Sequence, residues 1–466
     1  MLLALTAAIA IVVQDGTPLR SAPRPRATEL TTLWQGELVE VRDERAGYLR
    51  VYDYRRERGG FLKSEAVRAI ALGEAEAPAL LAVLRFLRDS PGSEPLGISY
   101  GAAYLKAVSP KELTAEPFDA IGRMAERLAD AASGSGAKRP RVAAYLDVVQ
   151  EFGIQMRTFE RDGHMQTCYD GEMFRRVLSM PGADAEQRAR AALALTRPDC
   201  IDPGLSVVLR ASLDEQRARL LDQIDERAAG AILRARLHAR RAAVWSSLTY
   251  AQARRGQPAG TAARRAVGEL VALHPEDLGE ERRAEYLDAL LRVGAIRWAA
   301  VDTAPSVAPL LLSTGPGAPG ETCLTLAEMA RPAAPLVRRC TYGIVWTASA
   351  TTVARGRALV LAVQPLESWR ELWVFHVGAT GWTVSVVSPG AEDPQEGYVE
   401  FAGFAPRTER LLIAREVKER GQFRRRFEEL RLQDLVPLKQ ASSPELLADF
   451  GLWADAAWRR DTLALH

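Results

Sequence analysis

The spacing of apolar residues changes twice along this chain, and these changes constrain its fold most. Up to about Ile70, short apolar runs alternate with turn residues. From about Ala75 to Trp298 apolar residues recur every three or four positions, and after Thr341 alternation returns. Alternation is typical of strands, and the longer period is typical of amphipathic helices. Because 466 residues exceed what one hydrophobic core accommodates, we predict a multidomain α+β protein with a mostly α-helical middle domain and a C-terminal antiparallel β-domain.

The composition argues against a nucleic-acid partner. Hydrophobic residues make up 47% and charged residues 26% of the chain, as in ordinary globular domains. The formal net charge is +2, and basic residues are scattered among acidic ones. Such a charge distribution creates no general field that attracts a polyanion, so we expect no nucleic acid among the partners.

An apolar run near the N-terminus predicts export. Residues 2–13 read LLALTAAIAIVV, in which Ala8, Ile9 and Ala10 fit a small-residue cleavage site. This pattern predicts a signal peptide at residues 1–10 and a periplasmic or secreted protein of the bacterial envelope. The run is shorter than the roughly 20 residues of a membrane-spanning helix, so we expect no membrane span after signal removal. The alternative is that this segment forms a buried first strand.

Four cysteines fit an oxidising compartment. They allow three connectivities, and proximity in sequence favours Cys168 with Cys200 and Cys323 with Cys340. A metal site is the alternative use of these residues, but it favours close C-x-x-C pairs, which the sequence lacks. We therefore predict two disulfides, no metal site and no cofactor.

Residues 11–72 contain five short segments separated by turn residues. They are residues 18–23 (PLRSAP), 33–36 (LWQG), 39–41 (VEV), 47–51 (GYLRV) and 60–64 (GFLKS). In this order the segments resemble the bacterial SH3 family, with Tyr48 and Phe61 where the family carries tryptophan and Ala22 where it carries glycine. The resemblance implies an N-terminal SH3-like β-barrel, a module that typically contacts peptidoglycan or a protein partner.

The helical period predicts a helical domain at residues 75–298. Within it, residues 154–169 alternate around Asp162 and Gly163, a dipeptide typical of a β-hairpin turn. Trp245 and Pro275 superficially resemble one tetratricopeptide unit, but no second copy follows. We therefore predict a helical domain with one inserted β-hairpin.

The last third of the chain is predicted to contain a connector, a β-domain and a tail. Residues 299–340 are rich in Pro, Ala, Thr and Gly, which predicts a connector pinned by the second disulfide. Residues 341–436 alternate as antiparallel strands. Residues 401–414 resemble a blade of TolB-like β-propellers, but too few blades fit to close a ring, which favours a sandwich or an open meander. In the tail, residues 437–466, four apolar side chains are expected to pack back on this domain: Leu446, Phe450, Trp453 and Trp458.

Two motifs suggest catalysis, but neither has the right context. Residues 97–101, GISYG, match the G-x-S-x-G pattern of a hydrolase, yet turn residues precede them instead of a buried strand. Small residues that let two helices approach are the favoured interpretation. His164 and Cys168 would share one face of a strand, but a cysteine in a disulfide is not a nucleophile. We predict no enzyme activity.

Two polar segments have structural interpretations as well. Residues 133–138, SGSGAK, lack the Gly-Lys-Ser/Thr ending of a phosphate loop, which favours a connector between helices. Arg424, Arg425 and Arg426 alternate with glutamates on neighbouring segments, which favours a solvated, ion-paired face.

Aromatic residues are concentrated in the first module. The cluster comprises Trp34, Tyr48, Tyr52, Tyr54 and Phe61. SH3-like barrels bind extended peptides in aromatic-lined grooves, and by alternation Tyr48, Tyr52 and Tyr54 share one strand face. We predict Trp34, Tyr48, Tyr52 and Tyr54 as ligand-binding residues.

These observations favour a non-catalytic exported envelope protein with a binding or scaffold role. Its SH3-like module is expected to contact peptidoglycan or an envelope protein. One alternative is a cell-wall or ester hydrolase that uses Ser99 as nucleophile and the module for targeting. Another is an assembly factor whose helical domain is the interaction surface.

Overall fold

The computed structural model describes residues 8–134, 139–280, 283–302, 307–390 and 396–461. The chain divides into two compact units. Unit 1 comprises Met1–Ser206 and Gln223–Gly230, and unit 2 comprises Val207–Asp222 and Ala231–His466. Each unit contains helices and antiparallel sheets, so the chain is a multidomain α+β protein, as its periodicity predicts.

Unit 1 begins with a sheet of seven strands. They are β1 (Ala8–Val12), β2 (Thr17–Arg20), β3 (Glu29–Leu33), β4 (Leu38–Arg45), β5 (Tyr48–Asp53), β6 (Arg58–Lys63) and β7 (Val67–Ile70). Neighbours pair antiparallel in the order β3-β2-β6-β5-β4-β1-β7, and every strand contributes aliphatic residues to one core. Within the described residues the edge strands β3 and β7 do not pair. The sheet therefore wraps around its core without closing as the predicted barrel.

The first strand overlaps the predicted signal peptide. Ala10 in β1 pairs with Val39 on β4 and with Ala69 on β7, and its side chain is fully buried. Cleavage after Ala10, the predicted boundary, would remove three residues from a strand that is paired on both sides. Of residues 8–10, only Ala10 is fully buried, and the rest of the predicted signal lies outside the described residues.

The rest of unit 1 is mainly helical. Its helices are α1 (Ala77–Arg88), α2 (Glu94–Ala107), α3 (Glu116–Ser133), α4 (Arg139–Gln150), α5 (Glu172–Ser179) and α6 (Ala185–Leu195), with 3₁₀ turns at Ser64–Ala66, Glu74–Glu76 and Glu226–Ala228. Asp184 starts α6 with a capping box, in which it accepts a hydrogen bond from the Gln187 N–H. The predicted hairpin is present as β8 (Met156–Arg161) and β9 (His164–Tyr169), with both turn residues at positive φ.

The sheet and the helices of unit 1 pack together closely. Ile11 in β1 is fully buried among side chains of α1 and α2. The turn between β3 and β4 approaches α2 so closely that a Cβ on Gly36 would lie 2.6 Å from the Pro95 carbonyl oxygen. In the same turn, Gln35 donates a hydrogen bond to the hydroxyl of Tyr145 on α4. The predicted first module is therefore an integral part of unit 1.

The helices predicted at residues 75–298 are divided between the two units, and unit 2 contains the remaining long helices. These helices are α7 (Val207–Asp222), α8 (Ala231–Arg254), α9 (Gly260–Val271) and α10 (Arg283–Ile296), with 3₁₀ turns at Pro275–Leu278, Arg297–Ala300, Ala354–Gly356 and Pro444–Leu446. Helices α8, α9 and α10 bury Ala242, Ala266 and Leu290 in one core of unit 2. A helical period shows that a helix has an apolar face, but it does not show which core receives that face.

The segment predicted as a connector, residues 299–340, contains regular structure. Most of it forms a three-stranded antiparallel sheet of β10 (Leu310–Pro316), β11 (Thr322–Glu328) and β12 (Arg331–Thr341). Leu324 and Leu326 are fully buried against Leu361 and Phe375 of the next sheet. The proline content misled the prediction because the prolines of β12 lie on an edge strand, where proline is tolerated.

The second sheet of unit 2 has eight strands. They are β13 (Ile344–Val353), β14 (Ala358–Leu366), β15 (Trp369–Gly378), β16 (Gly381–Val387), β17 (Glu396–Ala405), β18 (Arg410–Glu419), β19 (Gln422–Arg431) and β20 (Pro437–Ala441). Seven follow the order β13-β14-β15-β17-β18-β19-β20, and β16 pairs with β15. The β15–β17 contact is parallel and all others are antiparallel. The strands form one continuous sheet, and β20 extends it beyond the predicted boundary at residue 436.

The C-terminal segment packs on this sheet, as predicted. It contains α11 (Ala448–Trp453) and α12 (Ala456–Asp461). The ring centroids of Phe450 and Trp458 lie 5.6 and 6.3 Å from that of Phe427 on β19. Leu446, by contrast, is 71% exposed. Across the described ranges of both units, no helix is long and apolar enough to cross a membrane.

Both predicted disulfides are present, and the first carries a testable stability prediction. Cys168 on β9 is joined to Cys200, at a sequence separation of 32, and Cys323 on β11 is joined to Cys340 on β12. Replacing Cys168 and Cys200 by alanine is expected to lower the free energy of unfolding by about 3–4 kcal/mol, because the unfolded chain regains freedom. Urea denaturation of the oxidised protein measures this change, and an unchanged midpoint would contradict the expectation.

Candidate binding surface on the first sheet

Tyr52 and Tyr54 form an aromatic pair on the outer face of the first sheet. Their ring centroids are 5.0 Å apart and their planes are inclined by 78°. Tyr52 lies on β5 and Tyr54 directly follows this strand, so alternation turns both away from the core residue Val51. Gly59 lies opposite Tyr52 on β6 and presents no side chain beside the ring. Tyr54 is 68% exposed, so the pair offers an aromatic ring to solvent.

Two charged side chains on β4 hold this pair in place. The Arg42 guanidinium carbon lies 4.2 Å from the Tyr52 ring centroid. Glu40 Oε2 accepts hydrogen bonds from Arg42 Nη2 and from the Tyr54 hydroxyl, both at 2.9 Å. Hydrogen bonds from Arg42 and then from Tyr54 hold the pKa of Glu40 below its ordinary value, so it is ionised at neutral pH. We call these four side chains, Glu40, Arg42, Tyr52 and Tyr54, the aromatic surface.

The structure does not bring Trp34 and Tyr48 to this surface. Trp34 packs against the helical core of unit 1, with its ring centroid 6.4 Å from that of Tyr145. Tyr48 is 7% exposed, and its hydroxyl has no hydrogen-bond partner within the described residues. Alternation gives the strand face on which a side chain lies, but it does not show what covers that face. Of the four predicted ligand-binding residues, the structure therefore brings Tyr52 and Tyr54 together and places Trp34 and Tyr48 apart from them.

Ser99 has the environment of a packing residue. It lies in the middle of α2 and is 1% exposed. On either side of it, a Cβ at Gly97 would lie 2.3 Å from the Met124 sulfur, and one at Gly101 would lie 2.7 Å from Ile121. These glycines let α2 and α3 approach closely. The G-x-S-x-G string is therefore a helix contact and not a strand-to-helix nucleophile turn.

The cysteines that could serve as nucleophiles or metal ligands are bound in disulfides. His164 is exposed on β9, and its neighbour Cys168 is bound in a disulfide. Within the described residues, one group of metal-ligand types lies close together, namely Glu321, Cys323 and Cys340. Both sulfurs of this group form the second disulfide, so they offer no thiolate to a metal.

The predicted polar loop at residues 133–138 and the arginines at residues 424–426 are considered separately, because the structure describes only the second segment in full. Most of the predicted loop at residues 133–138 lies outside the described residues. Arg424 and Arg426 lie 3.6 and 3.8 Å from Glu419, whereas Arg425 lies opposite Glu416 across the β18–β19 pair. The arginine run is thus divided between two sheet faces rather than forming the single predicted face, and Arg424 and Arg426 lie near one carboxylate.

Sequence reasoning missed a buried ionic cluster in unit 2. Glu400 on β17 forms ion pairs with Arg370 on β15, at 2.9 Å, and with Arg297. Arg370 is fully buried, and its guanidinium carbon lies 5.1 Å from the Tyr398 ring centroid. These residues are far apart in sequence, and no local pattern predicts that they meet. Because the cluster is shielded from solvent, we assign it a structural role.

Comparisons with known proteins identify no relative of this chain. The chain matches no family model, no curated protein and no solved structure.

Proposed function

We propose that this protein is an exported, non-catalytic binding protein that holds an extended ligand of the cell envelope on the aromatic surface. The observation that carries this proposal is Tyr54, which is 68% exposed while its hydroxyl is fixed by Glu40. An exposed aromatic ring with a hydrogen-bonded hydroxyl is a typical anchor for peptides and other extended ligands. Because neighbouring side chains already fix the ring, binding loses little conformational entropy.

An SH3-like assignment of the first sheet supports the same proposal. The segments that resemble the bacterial SH3 family contribute to five of the seven strands, β2 to β6, and to turns beside them. All seven strands share one small core, and the aromatic surface lies on its outside. In this proposal the ligand is peptidoglycan or an envelope protein, as the resemblance implies.

Two disulfides support the proposed export. Disulfides persist in oxidising compartments such as the periplasm and the extracellular space. We therefore propose a periplasmic or secreted location. Hydrolase chemistry at Ser99 is not favoured, because this side chain is buried within α2.

The test compares point variants of the full-length protein for capture on purified sacculi and on immobilised envelope extract. Tyr54→Ala is expected to weaken capture by about 30-fold, because losing an aromatic anchor costs about 2 kcal/mol. Tyr54→Phe keeps the ring and should retain most of the binding. Tyr342→Ala is the matched control, since Tyr342 is 57% exposed in unit 2. Equal capture of wild type and Tyr54→Ala on both materials would overturn the proposal.

A further inference from the structure

A row of cross-strand neighbours beside the aromatic surface carries two arginines around an aromatic ring. Arg20 on β2 pairs with Phe61 on β6, and Phe61 pairs with Arg50 on β5. Leu62, the next residue after Phe61, is fully buried in the core, so alternation places the Phe61 row on the outer face. Tyr52 follows Arg50 by two residues and shares this face. We call Arg20, Phe61 and Arg50 the basic row.

The guanidinium groups of the basic row form no close ion pair within the described residues, although the Asp43 carboxylate attracts Arg50 electrostatically. Arg50 is exposed and forms no ion pair within the described residues. Its cross-strand neighbour on β4, Asp43, binds Arg45 instead, at 2.7 Å. Arg20 donates a hydrogen bond to the Ala27 carbonyl oxygen at 3.0 Å, and it too has no carboxylate partner there. Both guanidinium groups therefore retain N–H donors for an anionic ligand.

We propose that the ligand is an extended acidic polypeptide segment, whose carboxylates bind Arg20 and Arg50 while an apolar side chain packs on Tyr54. This inference rests on the binding function proposed above. The backbones of β2 and β5 are separated by β6 and therefore lie about 10 Å apart. Carboxylates on one face of an extended peptide lie about 7 Å apart, a spacing that two long arginine side chains accommodate. Arginine also matches the geometry of a carboxylate better than other cations do.

A polypeptide fits this surface better than an acidic glycan. A sugar ring stacks on an open aromatic face, and among these three rings only Tyr54 offers one, because Arg42 covers one face of Tyr52 and Phe61 is only partly exposed. Tyr52 and Tyr54 meet edge to face, and the exposed Tyr54 ring is available to pack on a compact apolar side chain. Charge complementarity and the exposed Tyr54 ring together favour an acidic peptide that also carries an apolar side chain on the face of its carboxylates.

The test measures fluorescence anisotropy of two labelled ten-residue peptides with the full-length protein. One peptide alternates Glu and Pro, and its control alternates Gln and Pro. We expect the Glu peptide to bind at least about tenfold more tightly, and this advantage should shrink as salt rises. Arg50→Gln should weaken Glu-peptide binding about fivefold, and the double change with Arg20→Gln about twentyfold. Arg219→Gln, at an exposed arginine of α7, is the control that should change nothing.

Three outcomes overturn this inference without overturning the proposed function. One is equal binding of the two peptides that still depends on Tyr54. Another is tighter, arginine-dependent binding of an acidic glycan such as a polygalacturonate oligomer. The third is Tyr54-dependent capture on sacculi with no binding of either peptide. If neither capture on sacculi or envelope extract nor binding of either peptide depended on Tyr54, the proposed function itself would be overturned.

Discussion

Replacing Glu400 by glutamine is expected to destabilise unit 2 by about 3–5 kcal/mol. The Glu400 carboxylate contacts the guanidinium groups of both Arg297 and Arg370, and all three side chains are buried. Although burial opposes ionisation, Arg297 and Arg370 lower the pKa of Glu400 below its ordinary value. Glutamine keeps the size of the side chain but removes its charge, which leaves the buried Arg370 without its counter-ion. The expected loss of unfolding free energy is far larger than the loss from removing a surface ion pair.

The matched control is Glu409→Gln, which removes the carboxylate of an exposed ion pair with Arg357 in the same unit. Exposed pairs contribute between about 0 and 1 kcal/mol, so this variant should unfold almost as wild type does. Urea denaturation followed by tryptophan fluorescence and by circular dichroism gives both free energies of unfolding. Similar values for the two variants would contradict the role assigned to the buried cluster.

Raising the pH from about 5 to about 9 is expected to destabilise the protein through Glu416. Burial raises the pKa of this β18 carboxyl to about 8, and Arg425 opposes the shift only in part. Its surroundings include the Tyr398 hydroxyl, which hydrogen-bonds it, and the nearby Glu400 carboxylate. In the folded protein Glu416 keeps its proton at neutral pH, whereas in the unfolded chain it loses the proton near 4.5.

The sign of this pH dependence follows from the raised pKa. The stabilisation is fully present below about pH 4.5 and is lost as the pH rises through about 8, because only the unfolded chain releases the proton freely. The loss is on the order of 3–5 kcal/mol. Glu416→Gln imitates the protonated side chain, so this variant should match wild type near pH 5 and exceed its stability near pH 9.

Urea denaturation at several pH values measures this prediction. Glu409→Gln is the control, because Glu409 is an exposed carboxylate in the same unit whose partner, Arg357, stays charged across this range. The difference in unfolding free energy between Glu416→Gln and wild type should grow steadily with pH, whereas the control difference should stay flat. A constant difference for Glu416→Gln would show that the carboxyl is ionised throughout this range.

The elements that sequence predicted correctly depend on local chemistry. Asp162 and Gly163 adopt the positive φ values that a tight hairpin turn requires, so the hairpin follows from two adjacent residues. Cysteine proximity favoured the disulfides that the structure contains. The strands of the first sheet follow from alternation and turn residues, and so does the outward direction of Tyr52 and Tyr54.

The elements that sequence missed depend on contacts between distant residues. Tyr48 has the alternation of an exposed residue, but it is buried by structure that its own strand does not specify. Trp34 contacts Tyr145, more than a hundred positions away, and Glu400 meets Arg297 at a similar separation. Arg42 was overlooked because a β-bulge lies between Val41 and Asp43, which breaks simple alternation on β4.

The close packing of the first sheet determines how its function is best tested. Ile11 and Gly36 are fixed against the helices of unit 1, so deleting the sheet would expose helical core residues. A deletion variant would then report on folding as much as on binding. Substitutions of exposed side chains such as Tyr54 and Arg50 avoid this difficulty, because neither contributes to a core.

Hydroxyl-radical footprinting tests the central claim most directly. The full-length protein is labelled alone and when saturated with sacculi or with the Glu–Pro peptide, and modification of each tyrosine is measured by mass spectrometry. Bound ligand is expected to protect Tyr54, whereas Tyr342, also exposed, should be modified equally in both states. Unchanged modification of Tyr54 in the presence of bound ligand would contradict the account, because the ligand would then occupy a different surface.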